Sequence, residues 1–559
     1  MSRAGWGRGG WLCALSSLWL GATFARHRRF QRLLADPESA QRAVLDRILA
    51  RARDSAYGRH YRLDRVRTSE EFIRAVPAAS YEDLVPWIER VERGEQRVLS
   101  DEPVLMMETT SGSAAAAKYI PYTAGLRDEF DRALGPWLFD VYSCRPHLLA
   151  TAAYWSISPA ARRRTETIGG VPVGFESDAQ YLSGLERFIL GQLAPAPPML
   201  AEISDMDANR YATLLFLLAE PRLGLLSVWN PSYLGLLLDF LDRHAAALVA
   251  DLAAGTFNPP ADVSLQTRRR VEQRLGRDFR RARDLERILE RHGNLPPTVT
   301  WPRLSFLSCW AAAAAARFLP PLRSRLPGVE IQPKGLLATE GVVTIPITGL
   351  PAPVLALDSH FFEFRPLDHP GETRLAHELE TGRRYSVILS TAGGLYRYEL
   401  RDEVRVVGHH RRTPMLEFLG REAGVSDLCG EKLAESFVNE LLGRVLAVEG
   451  LEAAFVMLAP RMDSPPRYVL YFEPATTVDD ARIAGLVRRV DEALAENPHY
   501  AYCRSLGQLG PLEVFWVTSG GQAAYLQSAV LRGQKPGSIK AASLRSETDW
   551  SEVFTGRRI

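Results

Sequence analysis

The chain has 559 residues, 46% of them hydrophobic and 24% charged, with a formal net charge of +2. This length exceeds what one hydrophobic core holds and predicts more than one domain. The near-neutral charge excludes a global field that would gather nucleic acid. Of 68 Lys and Arg only five are lysines, Lys118, Lys334, Lys432, Lys535 and Lys540, so a position that keeps lysine in this arginine-rich chain is a candidate for a role that needs a compact ammonium. The five cysteines are odd in number and form no Cys-x-x-Cys pair, which predicts a reduced compartment and no zinc site.

Residues 1–24 carry the apolar run WLCALSSLWLGATF. It is short for a bilayer span and continues without a cleavage signal into an amphipathic pattern. This predicts a soluble N-terminal helix in a cytoplasmic protein, with peripheral membrane contact as the alternative. Pro37 and Glu38 suit the first turn of the next helix. Ser69 and Ser80 mark two further helix starts, separated by Pro77, and Arg97 to Met107 reads as extended chain.

That extended chain leads into ETTSGSAAAAKYIPYT, Glu108 to Thr123. The pattern is a strand end, a turn of small and hydroxylated residues, a lysine and a second strand. Thr109, Thr110, Ser111 and Ser113 surround Gly112. Their hydroxyls and the turn's N–H groups suit phosphate oxygens, with the Lys118 charge nearby. The spacing is not that of a Walker loop, and a plain polar hairpin explains the turn as well.

After Thr123 the pattern is helical through Leu138, and HLLATAAYWSIS reads as a strand. The apolar stretch from Tyr211 to Leu241 predicts a buried helix, a short strand ending at Trp229 and a second buried helix. Pro221, Asn230 and Pro231 interrupt it and argue against a membrane span. The charged run 267–291 mixes both signs and reads as a solvated helix face. Lys334 and Gly335 then lead a strand into Ala338-Thr339-Glu340-Gly341, whose hydroxyl and carboxylate suit a phosphate oxygen and a Mg²⁺ ion. The β-rich segment that follows holds Tyr396-Arg397-Tyr398 and Asp402, the latter either a ribose ligand or a turn residue. His409 and His410 are adjacent, so on a strand they face opposite ways. Loop-rich polar sequence at Gly420–Gly424 marks a boundary between a large domain, 1–425, and a small α+β domain, 426–559, whose tail carries Lys535 and Lys540.

In this order, TTSGSAAAAKYIPYT, GLLATEG, GLYRYELRDEV, SDLCGEKLAE and GQKPGSIK, preceded by the lead-in YGRHYRLDRVRTSEEF, resemble the auxin-responsive (GH-three) acyl-acid amido synthetases and their bacterial relatives. These belong to the adenylate-forming superfamily. The resemblance runs from about Phe30 to Lys540. It implies an α/β fold, with a large N-terminal adenylate-forming domain of mixed sheets and flanking helices and a small mobile C-terminal α+β domain. It implies an ATP- and Mg²⁺-dependent ligase that adenylates a carboxylic acid and passes the acyl group to an amine, typically an amino acid. The chain would act as a monomer. A non-catalytic relative that binds nucleotide or acyl ligand, and a thioester-forming acyl-CoA ligase, are the alternatives. Carried onto this sequence, Ser111, Gly112, Ser113 and Lys118 would surround the ATP phosphates, and Thr339 and Glu340 would face the α-phosphate and the metal. Tyr396 and Asp402 would address adenine and ribose, Arg421 would stand at the hinge, and Lys540 or Lys535 would be the mobile catalytic lysine. The acyl pocket would lie between the apolar helices and the β segment around Phe361 to Phe364. Two places depart from the family pattern: Ala114 to Ala117 replace the glycines of the first motif, and Arg401 stands where glycine precedes the aspartate of the third.

Overall fold

The structure, a computed structural model, describes residues 8–109, 118–156, 165–174, 191–421, 425–532, 534 and 539–559. The described chain divides into two compact units. One comprises Met1–Ala311, Pro320–Leu400 and Arg405–Glu417, and the other comprises Ala312–Leu319, Arg401–Val404 and Phe418–Ile559.

In the large unit the N-terminal apolar run forms α1 (Arg8–Leu33). Asp36 then caps α2 (Pro37–Ala52), accepting from the Ser39 N–H, with Pro37 in the first turn. Ser80 and Asp83 form a capping box on the helix Tyr81–Glu92, so that helix starts where the sequence places it. Thr123 caps α3 (Ala124–Cys144) through the Leu126 N–H. Leu12, Leu15 and Trp19 of α1 are buried. Trp19 meets Tyr142 of α3 edge-on at 5.5 Å, and His27 lies 4.4 Å from the Phe139 ring. The run is therefore an integral layer of this unit. Among the described residues, no helix is long and apolar enough to cross a membrane.

Two strands flank the Ser/Thr-rich turn, β1 (Met106–Thr109) and β2 (Tyr119–Tyr122), paired antiparallel with Thr109 opposite Tyr119. A separate parallel sheet holds β3 (Ala152–Trp155), β4 (Leu223–Ser227), β5 (Phe306–Cys309) and β6 (Glu330–Pro333) in chain order. Buried helices Met206–Leu218 and Pro231–Ala254 bracket β4, matching the helix–strand–helix reading. The charged run forms the helices Leu265–Leu275 and Phe279–His292. Its charged residues form a solvated face while Val271, Ala282 and Leu285 are buried, and Arg281 is the exception among the charges: it is buried and donates to the carbonyls of Leu218 and Thr300 at 2.8 Å each.

The third sheet has seven strands, ordered Arg374–Leu375, Phe361–Pro366, Arg384–Ser390, Tyr398–His410, Thr413–Arg421, Val354–Leu355 and Thr344–Ile345. An ion pair inside it ties it to the N-terminal helices. Arg397 and Glu363 are both buried. The guanidinium Nε lies 3.0 Å from each Glu363 oxygen, and Nη2 lies 2.8 Å from one of them. Nη1 donates to the carbonyls of Ile73 and Val76 at 2.9 and 2.8 Å. Burial pushes the Glu363 carboxyl up from its ordinary range, and the guanidinium opposes that shift.

The small unit has its own sheet, ordered Ala453–Arg461, Arg467–Pro474, Glu513–Val517 and Gly556–Arg558. Only the middle pair is parallel. Helices Glu435–Glu449 and Asp480–Leu494 contribute Leu441, Leu442, Ile483 and Leu486 to its core, which also contains Tyr468 and Leu470 from the sheet.

Removing one partner of a buried ion pair leaves the other charge uncompensated. Arg397→Ala is therefore expected to lower the stability of the large unit by about 3–5 kcal/mol, read as a shift of its transition in urea unfolding. An unchanged midpoint would show that the pair is not an anchor.

Candidate active site

The second predicted motif is the tip of a tight hairpin. Val343 N–H donates to Leu336 O at 2.9 Å, and Ala338 and Gly341 exchange hydrogen bonds at 2.9 and 3.2 Å. Thr339 and Glu340 are therefore the two tip residues. Gly335 permits the approach from β6. It has φ +80°, and a Cβ there would lie 2.5 Å from the Thr344 carbonyl.

Two stretches distant in sequence converge on this tip. Tyr122, at the end of β2, donates its hydroxyl to Thr339 O at 2.9 Å. Tyr398, which opens the strand of the third motif, places its hydroxyl 3.5 Å from Glu340 Oε1. The Glu340 side chain is almost wholly buried. A single carboxylate beside a threonine hydroxyl fits a Mg²⁺ ion that keeps most of its shell for phosphate oxygens and water.

The other predicted residues are placed as follows. Ser111, Gly112, Ser113 and Lys535 lie outside the described residues. Lys118 sits on the helix Tyr81–Glu92, with Nζ 3.5 Å from Glu82 and 4.8 Å above the Tyr81 ring. Tyr396 is a core residue. Its ring stacks on Tyr57 at 4.7 Å, its hydroxyl donates to the Leu99 carbonyl, and burial pushes that hydroxyl's pKa well above the ordinary tyrosine value. Asp402 is wholly buried in the strand Tyr398–His410. Arg421 ends the strand Thr413–Arg421. In the small unit, Lys540 holds Nζ 5.8 Å above the Phe418 ring, and its carbonyl accepts from the Tyr525 hydroxyl at 3.0 Å.

Phe361 to Phe364 are all buried in a strand of the seven-stranded sheet, between Arg374–Leu375 and Arg384–Ser390. Indole rings gather at the C-terminal edge of the parallel sheet. Trp155 stands opposite Ser227, Ser227 opposite Ser308, and Ser308 opposite Gln332, so these four share one face. Trp229, Trp310 and Lys334 follow two residues further on. Lys334 Nζ lies 2.6 Å from Ser227 Oγ and 5.1, 5.3 and 5.8 Å from the rings of Trp229, Trp137 and Trp155. Ser308 Oγ and Trp155 Nε1 are buried there without a hydrogen-bond partner among the described residues. Only Lys334 of this group was legible beforehand as a candidate, and only from arginine bias.

The cysteines also differ from the sequence reading in one respect. Cys429 and Cys503 are neighbours, with Cys503 Sγ 3.4 Å from the Cys429 carbonyl. With Glu431 they are the one grouping of metal-ligand atoms among the described residues. The Glu431 oxygens are engaged by the N–H groups of Leu428 and Cys429, by the Tyr468 hydroxyl and by the Cys429 thiol, and neither cysteine forms a disulfide.

A large α/β unit with a hydroxyl–carboxylate hairpin tip, followed by a small α+β unit, is the arrangement of a two-domain ligase. Residues 26–331, 353–421 and 435–548 match the GH3 family N-terminal, central and C-terminal domains, and the chain belongs to the GH3 family. Indole-3-acetic acid-amido synthetase GH3.4 of Arabidopsis thaliana is 24% identical, over 94% of this chain and 92% of its own. The putative indole-3-acetic acid-amido synthetase GH3.10 of Oryza sativa subsp. japonica is 27% identical, over 79% and 88%. The solved structure of the GH3.15 acyl acid amido synthetase superposes with a TM-score of 0.78 at 20% identity, covering 95% of each chain. AtGH3.15 in complex with 2,4-DB gives 0.83 at 19%, with the same coverage.

Arg401 occupies the position where the family resemblance implies glycine, and its φ is +58°. The left-handed conformation is thus retained without the residue that suits it. An L side chain there costs about 1–2 kcal/mol. Arg401→Gly is expected to raise the thermal midpoint, with a gain of about 1 kcal/mol once the flexibility of glycine in the unfolded chain is subtracted. A fall in the midpoint would mean that the exposed arginine makes a compensating contact.

Proposed function

We propose that this chain is an ATP-dependent ligase that adenylates a carboxylic acid and transfers the acyl group to an amine, an amino acid by analogy with its relatives. The observation that carries the reading is the meeting of Tyr122, the Thr339–Glu340 tip and Tyr398 in a chain that belongs to the GH3 family. In the first half-reaction a carboxylate oxygen of the acid attacks the α-phosphorus of ATP, and the bond to pyrophosphate breaks. In the second the amine nitrogen attacks the acyl carbon, AMP leaves, and the nitrogen loses its proton to solvent.

The roles assigned here are those that the family resemblance implies. Ser111, Gly112, Ser113 and Lys118 hold phosphate oxygens, the Thr339 hydroxyl meets the α-phosphate, and Asp402 accepts from the ribose. Glu340 holds Mg²⁺, which supplies positive charge against the phosphates. Lys540, or Lys535 in its place, faces the charge that develops during adenylation, and the segment from Arg421 is the hinge. The indole-lined edge of the parallel sheet receives the acyl body, since ligands of open α/β sheets bind beyond the carboxyl ends of the strands. Free thiols fit a reducing cytoplasm, and the protein acts there as a monomer.

Pyrophosphate release measured over a panel of acids and amines, with mass spectrometry of the products, tests the reading. Acid-dependent pyrophosphate and an amide product are expected. Nucleotide binding without release identifies a non-catalytic relative, and turnover that requires coenzyme A identifies a thioester ligase. In the active protein, Lys540→Ala is expected to slow adenylate formation roughly 10²-fold while sparing amine attack on supplied adenylate. Asp402→Ala should weaken ATP binding by about 1–3 kcal/mol in calorimetry. Trp229→Ala should raise KM for the acid about tenfold, the equivalent of ~1.4 kcal/mol of lost apolar contact, without changing that for ATP.

A further inference from the structure

The hairpin tip is held from behind by two buried ionisable side chains that no sequence motif marks. Glu129, on α3, accepts the Ala392 N–H with both oxygens, at 3.1 and 3.0 Å. Its Oε2 also lies 2.9 Å from Nδ1 of His360, whose ring is wholly buried. On the other side of that ring, Nε2 accepts the Val342 N–H at 3.0 Å. Because Nε2 accepts, the ring carries its proton on Nδ1 and donates it to Glu129. The chain of bonds therefore has one direction, from Val342 through His360 to Glu129.

Both ends of this chain reach the candidate site. Val342 follows the Thr339–Glu340 tip by two residues. The His360 ring packs closely against Gly341, where a Cβ would sit 2.7 Å from Nε2 and 2.8 Å from Cδ2. Ala392 opens the loop that leads to Tyr398, and its carbonyl accepts from the Thr123 hydroxyl at 3.2 Å. One helix, α3, thus fixes the backbone on both sides of the contact between Tyr398 and Glu340.

Resting on the ligase reading above, we propose that Glu129 and His360 are positioning residues that set Glu340 and Thr339 for the nucleotide and its metal. Neither touches the reacting atoms. Glu129→Gln keeps the shape but breaks the direction. If the glutamine oxygen takes the Oε2 position it accepts from both His360 and Ala392, and its NH₂ then stands 3.1 Å from the Ala392 nitrogen; if it takes the Oε1 position, its NH₂ faces the Nδ1 proton. If the ring then shifts that proton to Nε2, it faces the Val342 N–H. In each case two donors meet, and the tip must move. A displacement of about 1 Å at a reacting centre costs roughly 10²-fold in rate.

The test is the rate of adenylate formation in Glu129→Gln, in Gly341→Ala and in the double variant, with melting curves for each. Calorimetry of ATP with and without Mg²⁺ runs alongside. Gly341→Ala leaves both polar groups in place and displaces the ring by contact, so it carries the test if Glu129→Gln fails to fold. Folded single variants should form adenylate about 10²-fold more slowly, with KM for the acid unchanged. They should also lose the gain in ATP affinity that Mg²⁺ gives the wild type. The double variant should be no slower than the slower single variant, since both act through one ring. Wild-type rates and Mg²⁺ dependence in the single variants overturn the inference while leaving the ligase reading intact, and so do losses that multiply in the double variant. A wild type that neither binds nucleotide nor releases pyrophosphate overturns the ligase reading, and this inference with it.

Discussion

The buried pair between Arg397 and Glu363 is the constraint on which the large unit depends. An uncompensated guanidinium inside a sheet is costly, so every donor of Arg397 that enters the interior has to find an acceptor. Glu363 answers from the strand Phe361–Pro366, and the carbonyls of Ile73 and Val76 answer from the end of an N-terminal helix. The backbone repeats the connection, because the Ala79 N–H donates to Arg397 O and the Glu399 N–H to Ala79 O, both at 2.9 Å. One arginine thereby joins the first hundred residues to the central sheet and fixes where Tyr398 emerges.

That anchoring explains how the strand tolerates its backbone. Arg397 and Arg401 both have positive φ, +48° and +58°, the first just before the strand Tyr398–His410 and the second within it. At Arg397 the unfavourable conformation is offset by buried hydrogen bonds, including one from its own N–H to Ser390 Oγ at 2.8 Å. At Arg401 the side chain is exposed, and the geometry persists because the flanking strand is held. Strain confined to a strand beside a candidate site, with rigid structure on either side, is a common arrangement in binding proteins.

The hairpin tip and the indole edge draw on different parts of the large unit. The hairpin tip depends on polar contacts across long sequence separations, as between Glu129 and His360, 231 residues apart. The indole edge depends on strand register, which brings Trp155, Ser227, Ser308 and Gln332 onto one face. A change in one layer can therefore leave the geometry of the other intact. Family membership fixes the architecture of both layers but not the residues that line the edge.

Local sequence determined a good deal of this protein. Caps at Asp36, Ser80 and Thr123 start helices because their side chains satisfy N–H groups a few residues away. The helix–strand–helix reading around Trp229 follows from apolar runs and prolines, and the order of short motifs was enough to indicate the family. Contacts between distant segments were not legible. The burial of Phe361 to Phe364 depends on which strands lie beside them, and that order has no local sign in the sequence. Tyr396 read as a nucleotide contact, yet its hydroxyl meets Leu99 while Tyr398, two residues on, reaches Glu340. Glu129 and His360 carry no local signature at all. A hydrogen bond between them requires two groups within about 3 Å, and only the folding of α3 against the hairpin brings them that close.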